Sequence, residues 1–255
     1  VIEIRQIPVL ADNYVYLVHE PEEDATAVID PTIARSVLDS LQERGWRLTH
    51  VLNTHHHWDH VGGNRELKAA TACTIVGGDF DRQRIPGIEL ALKDGEVLHL
   101  GAASVRVLEV PGHTLGHIAY WFPEEAVLFC GDTLFALGCG RLFEGSAEVM
   151  WRSLNRLRSL PGETQVYCAH EYTLSNARFA LTVEPDNPAL QKRFRQVEAD
   201  RREERSTVPS LLEEERATNP FLRPESAEIR YRLGLEDASP EAVFAELRRR
   251  KDAFR

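Results

Sequence analysis

Thr54-His55-His56-His57-Trp58-Asp59-His60 places three histidines and one aspartate in an H-x-H-x-D-H spacing, followed by Gly62-Gly63. The preceding residues, His50 to Asn53, read as a short strand, so the cluster lies on a loop leaving a strand and entering a helix. Such a loop can turn alternate side chains toward one point. Imidazole and carboxylate are ligands for zinc, iron or manganese. Four donors in six residues exceed what one ion takes from one segment, and the alternation divides into a pair for each of two adjacent metals. A lone histidine is usually structural, but a cluster of this composition is hard to explain as surface decoration.

Other metal-capable side chains follow other apolar runs. Pro111-Gly112-His113-Thr114 follows the strand Ser104 to Val110. Gly131-Asp132-Thr133 follows Ala126 to Cys130, with Gly131 allowing a turn, and Ala169-His170-Glu171 follows Gln165 to Ala169. Residues emerging from strand ends are common site positions. With His55, His57, Asp59 and His60 they make up the seven ligands of a dinuclear centre.

Further strands are expected at Val15 to His19 and Thr26 to Ile29 from period-two alternation. Ile33 to Arg44 predicts a helix with Ile33, Val37, Leu38 and Leu41 on one face and Gly45 as its stop. Val149 to Leu160 predicts another, closed by Pro161-Gly162. After residue 175 the texture becomes polar and helical: Ala189 to Arg205, Leu211 to Arg216 and Pro240 to Phe254 read as helices, Val208-Pro209-Ser210 as a break, and no strand stands out. This gives a domain over 1–174 and a small helical one over 175–255.

The chain has 255 residues, 43% hydrophobic and 27% charged, an ordinary globular balance. The net charge of -10 argues against nucleic-acid binding, which wants a basic footprint. Cys73, Cys130, Cys139 and Cys168 form no C-x-x-C pair, so buried reduced thiols of a cytoplasmic protein are expected. No apolar run is long enough for a membrane span, and the N-terminus is too mixed for a signal peptide. A start at Val1 in place of Met points to processing or trimming. A monomer is expected.

The combination T-H-x-H-x-D-H, P-G-H-T, G-D-T and A-H-E resembles the metallo-β-lactamase superfamily. The resemblance implies an α+β fold, a four-layer αββα sandwich. It assigns His55, His57 and His113 to one metal, Asp59, His60 and His170 to the other, and Asp132 as the bridge. The stretches THHHWDHVGG (54–63), GDTLFALGCG (131–140), CAHEYTL (168–174), Val208-Pro209-Ser210, Asn219 to Arg223 and RRRKDAF (248–254) narrow it to the glyoxalase II, or hydroxyacylglutathione hydrolase, family. It thus covers essentially the whole chain, the helical C-terminal region included.

That family implies hydrolysis of S-(2-hydroxyacyl)glutathione thioesters such as S-D-lactoylglutathione, the second step of methylglyoxal detoxification, by a metal-bridging hydroxide. Two divalent ions are implied, zinc foremost, with iron and manganese as alternatives. Asp59 and Asp132 are the implied catalytic carboxylates, and Asp59 would also orient the hydroxide. Arg141, Phe143, Tyr172, Arg248 and Lys251 match substrate-binding positions. Arg141 stands where many members have lysine. Phe143 stands where many have tyrosine, and the missing hydroxyl costs about 1 kcal/mol of binding. A glutathione persulfide dioxygenase, or another hydrolase of the fold such as a lactonase, is the alternative; the C-terminal region weighs against it. Without the family match, the run Arg248 to Lys251 reads as a solvated helix end.

Overall fold

The computed structural model describes residues 1–254. It contains two compact units, residues 1–110 with 115–131, and residues 111–114 with 132 onward.

The first unit holds β1 (Glu3–Val9), β2 (Asn13–Glu20), β3 (Ala25–Ile29), α1 (Ala34–Arg44), β4 (Leu48–Leu52), α2 (Trp58–Val61), α3 (Asn64–Thr71), β5 (Thr74–Gly78) and β6 (Leu90–Leu92). The six strands form one sheet in sequence order. β1 to β3 are antiparallel, and β3 to β6 are parallel. Four more strands, β7 (Val97–Leu100), β8 (Ala103–Glu109), β9 (Ile118–Phe122) and β10 (Val127–Gly131), make an antiparallel meander.

Alternation along β2 explains the layering. Val15 and Leu17 join Val28, Val51 and Ile75 in a core shared with Val37 and Leu41 of α1 and Leu67 of α3. Tyr16, on the opposite face, meets Phe129 of β10 with ring centroids 5.4 Å apart. A strand covered on both faces is apolar throughout, and β2 is buried at every position. α1 begins at Ala34, one residue later than expected, because Ile33 is extended (φ -126°); Gly45 ends it in the left-handed conformation (φ 69°).

The second unit begins with the two-residue strands β11 (Leu134–Phe135) and β12 (Gly138–Cys139), which pair as a hairpin. It continues with α4 (Ala147–Arg158), β13 (Gln165–Cys168), α5 (Thr173–Val183), α6 (Pro188–Arg202), β14 (Ser210–Leu211), α7 (Leu212–Thr218), α8 (Ala227–Leu233) and α9 (Pro240–Ala253). Side chains cap α4, α6, α8 and α9: Ser146, Asn187, Ser226 and Ser239 accept from backbone amides of their first turns. Leu137, Ala177, Ala180, Leu190 and Val197 form a core between α5, α6 and the hairpin. An aromatic file links Phe179, Phe221, Phe244 and Trp151 at centroid spacings of 5.9, 6.0 and 6.1 Å.

One expectation needs correction: the C-terminal region does contain a strand. β14 pairs Ser210 with Val166 and Leu211 with Gln165 of β13. Two residues are too few for alternation to register in sequence.

All four cysteines are buried thiols. No helix among the described residues is long and apolar enough to cross a membrane.

Candidate metal centre

In the first unit the loop after β4 is fastened before it reaches the histidines. Asn53 N–H donates to the Val76 carbonyl (2.9 Å), Ile118 N–H to the Thr54 carbonyl (2.9 Å), and the Tyr120 hydroxyl to the Asn53 carbonyl (2.9 Å). Asp30, just beyond β3 with φ 50°, is the buried anchor. Its Oδ1 accepts from Thr54 N–H (2.7 Å) and its Oδ2 from the Thr54 hydroxyl (2.6 Å). A left-handed aspartate is uncommon, and these bonds determine it.

The same Asp30 Oδ2 lies 3.0 Å from His60 Nδ1. A carboxylate partner makes Nδ1 the protonated nitrogen and puts the ring's lone pair on Nε2. The Thr54 hydroxyl has its proton on Asp30, so at 3.1 Å it accepts from His55 Nδ1, and His55 too carries its lone pair on Nε2. The His55 ring lies 4.6 Å from His57 and 4.1 Å from His60. Asp59 Oδ2 is 3.4 Å from His60 Nε2; it accepts from Asn13 Nδ2 (3.0 Å), and Thr32 Oγ1 donates to the Asp59 carbonyl at 2.5 Å. Buried His117 stacks on His55 at 4.6 Å. His56 turns aside, its Nδ1 3.0 Å from buried Asp81, which Arg84 also holds.

Gly131, the last residue of β10, has φ 49°, and a Cβ there would strike the Thr54 hydroxyl and His117. The glycine foreseen as a turn residue is thus required twice, by its φ and by crowding.

The second unit gathers the other three predicted donors. His113 Nε2 is 3.4 Å from Asp132 Oδ2, and His170 Nε2 is 3.4 Å from Asp132 Oδ1. Each carboxylate oxygen therefore faces a different imidazole. His113 Nδ1 donates to the Arg141 carbonyl at 2.8 Å, which again assigns the lone pair to Nε2. The Tyr172 ring stacks parallel on His170 at 4.8 Å, with Phe135 edge-on to both. All three donors are buried.

The expected substrate residues also lie in this unit. Arg141 is exposed, with its guanidinium 5.0 Å above the ring of Phe143, which is 57% exposed. Phe143 meets His113 edge to face at 5.1 Å.

The cationic run of α9 splits in two. Arg249 and Arg250 pair with Glu246 on the surface, as a solvated helix end would. Arg248 and Lys251, three apart and so on one face, turn inward. Buried Arg248 donates to the Cys139 carbonyl (2.8 Å) and to Asp252 (2.8 Å), above the ring of Phe221. Lys251 Nζ reaches Ser175 Oγ at 3.0 Å and lies over the rings of Phe179 and Phe254. Burial, with the positive Arg248 beside it, lowers the Lys251 pKa to about 8. Burial pushes the Cys139 thiol up to about 11 and Cys168 to about 12, so both stay protonated at neutral pH.

Asp30, Asn13, Thr32 and His117 were not foreseen from sequence. Ile29-Asp30-Pro31 at a strand end was the available signal for Asp30; the others join the loop only through tertiary structure.

Similarity to known proteins agrees with these features. Residues 10–170 match the family model described as metallo-beta-lactamase superfamily, and residues 171–254 match hydroxyacylglutathione hydrolase C-terminus. A hydroxyacylglutathione hydrolase of Methylococcus capsulatus is 70% identical over 100% of this chain and 99% of its own. Among solved structures, ETHE1 from Myxococcus xanthus matches with TM-score 0.68 and 26% identity, covering 99% of this chain and 100% of that one. TTHA1623, solved in a di-iron-bound form, matches with TM-score 0.57 and 31% identity over 66% of this chain and 91% of that one. The expected fold is borne out, and the chain belongs to the hydroxyacylglutathione hydrolase family of the metallo-β-lactamase superfamily.

Proposed function

We propose that this protein hydrolyses S-(2-hydroxyacyl)glutathione thioesters to glutathione and a 2-hydroxy acid, using a dinuclear centre. The observation that carries the reading is the outer ring of hydrogen bonds. His55, His60 and His113 each have Nδ1 committed to an oxygen acceptor and the lone pair on Nε2, while Asp132 turns one oxygen to each of two imidazoles. Metal-binding histidines are held this way. His55, His57 and His113 would hold one ion, Asp59, His60 and His170 the other, with Asp132 between them. The set fits zinc, with iron and manganese also compatible; the relative in a di-iron form keeps iron in view.

Two divalent ions would supply a water of lowered pKa and positive charge for the thioester carbonyl oxygen. The protein's own groups do the rest. Asp59, fixed by Asn13 and Thr32, orients the attacking hydroxide. Arg141 and Lys251 supply the positive charge that an acidic protein needs for an anionic tripeptide, Arg248 positions the segment around Cys139, and Tyr172 offers a hydroxyl beside His170. The leaving thiolate has a pKa of ~8.5 and needs little acid. The protonated Cys139 and Cys168 do not compete as nucleophiles. Residues 1–174 act as the catalytic domain and 175–255 as the substrate-binding one, a division supported by the two family models meeting at 170/171.

The test is metal analysis of the purified protein alongside assays on S-D-lactoylglutathione, a simple lactone and glutathione persulfide. Thioester loss with about two ions per chain is expected. Oxygen consumption with persulfide and no thioester loss would sink the reading.

A further inference from the structure

The hairpin β11–β12 joins Asp132 to Arg141, whose carbonyl holds His113 Nδ1. Its turn is strained: Leu137 is a buried non-glycine residue at φ 58°, a conformation that persists only where the surroundings impose it. The imposing groups are three buried side chains. Asn176 of α5 donates to the Ala136 carbonyl at 3.1 Å. Asn219, just after α7, donates to the Phe135 carbonyl (3.1 Å), the Gly138 carbonyl (3.0 Å) and Glu215 Oε2 (3.0 Å). Glu215 of α7, wholly buried, accepts the Leu137 N–H at 2.9 Å, and its other oxygen is paired with Arg193 of α6. Arg193 in turn donates to Thr218 at 2.7 Å.

Four successive residues of the turn, Phe135 to Gly138, are thus each bonded to a buried side chain. A two-residue strand pair is too short to hold itself. A buried carboxylate–guanidinium pair is weak evidence for stability, since desolvation offsets its attraction. Its worth here is directional, because Glu215 can meet Leu137 N–H only if the turn keeps its present shape.

We propose that Asn176, Glu215 and Asn219 are positioning residues, which hold the hairpin so that Asp132 and His113 keep the geometry required by a pair of metal ions. The inference rests on the dinuclear reading above. It gives the C-terminal segment a role in metal retention, separate from any contact with substrate.

Asn219→Ser tests it. Serine still caps Phe221 N–H, as Asn219 Oδ1 does at 3.0 Å, but cannot reach the Phe135 and Gly138 carbonyls. The variant is titrated with Zn²⁺ against a chelator beside the parent and beside Ser226→Ala, which removes the α8 cap and none of the bracing side chains. Expected are a ~10–100-fold weaker zinc affinity in Asn219→Ser, an altered visible spectrum with Co²⁺, and parental affinity in Ser226→Ala. Metal binding and brace must support each other equally. Zinc should therefore slow exchange of the Leu137 amide in the unmodified parent, a measurement that stands even if Asn219→Ser does not fold. A parent holding fewer than two ions overturns the dinuclear reading itself. With two ions in the parent, equal affinity in Asn219→Ser, equal loss in Ser226→Ala, or zinc-independent Leu137 exchange overturns the inference alone.

Discussion

The two units present their donors in opposite ways. In the first, His55, His57, Asp59 and His60 come from six consecutive residues, and one buried carboxylate, Asp30, secures both the loop and a histidine. In the second, His113, Asp132 and His170 come from three separate segments. Their support is a backbone carbonyl, an aromatic stack and the braced hairpin. Donors on one contiguous loop share their anchors, whereas dispersed donors need each segment fixed separately. Behind its dispersed donors the second unit sets the buried polar side chains Asn176, Arg193, Glu215 and Asn219, which brace one of the donor-bearing segments.

The sharpest way to break this comparison is to remove the residue that faces two histidines at once. Asp132→Ala is expected to lower thioester hydrolysis by more than the ~100-fold that loss of an outer partner costs, and to lower bound metal per chain. Parental activity in that variant would exclude a dinuclear mechanism. Next comes Asp30→Asn, which keeps the shape but loses the charge on His60 Nδ1. A ~10–100-fold loss of metal affinity is expected, measured by chelator competition. Little change would mean that the loop is held by its backbone bonds alone.

Legibility followed the same division. The first unit's donors could be read as a cluster because chain proximity and spatial proximity coincide there. His113, Asp132 and His170 each looked unremarkable until strand ends were set side by side. The brace was invisible for a related reason. Buried Asn176 interrupts the apolar face of α5, so Thr173–Val183 did not read as a helix, and Glu215 sits in Leu212-Glu213-Glu214-Glu215-Arg216, which looks like a solvated face. Polar residues that serve the interior imitate surface sequence. The run Arg248 to Lys251 misled by half, since charge alone does not reveal that two of its four members turn inward.

A smaller effect tests whether Lys251 meets the substrate. Partial burial disfavours its charge, neighbouring Arg248 adds to this, and Asp252 favours the charge. With a pKa near 8, Lys251 is cationic below that pH and neutral above it. The KM for an anionic glutathione thioester should therefore rise as pH passes through about 8. A charge-assisted hydrogen bond of about 1.5 kcal/mol corresponds to roughly a tenfold change. Lys251→Ala should show a higher KM at neutral pH and no such step; an unchanged step would assign the titration to another group.

The smallest expected effect concerns Phe143, where the family resemblance implies a tyrosine. Phe143 is 57% exposed yet anchored, edge to face with His113 and beneath Arg141. Phe143→Tyr adds a hydroxyl to a ring that is already more than half exposed. If the thioester's peptide portion passes there, Phe143→Tyr gains one hydrogen bond of about 1 kcal/mol, roughly a fivefold fall in KM with kcat unchanged. The split matters because Phe143 also touches a predicted metal-ligand ring. A change in kcat with constant KM would mean that the ring acts on His113, making position 143 part of the second unit's support.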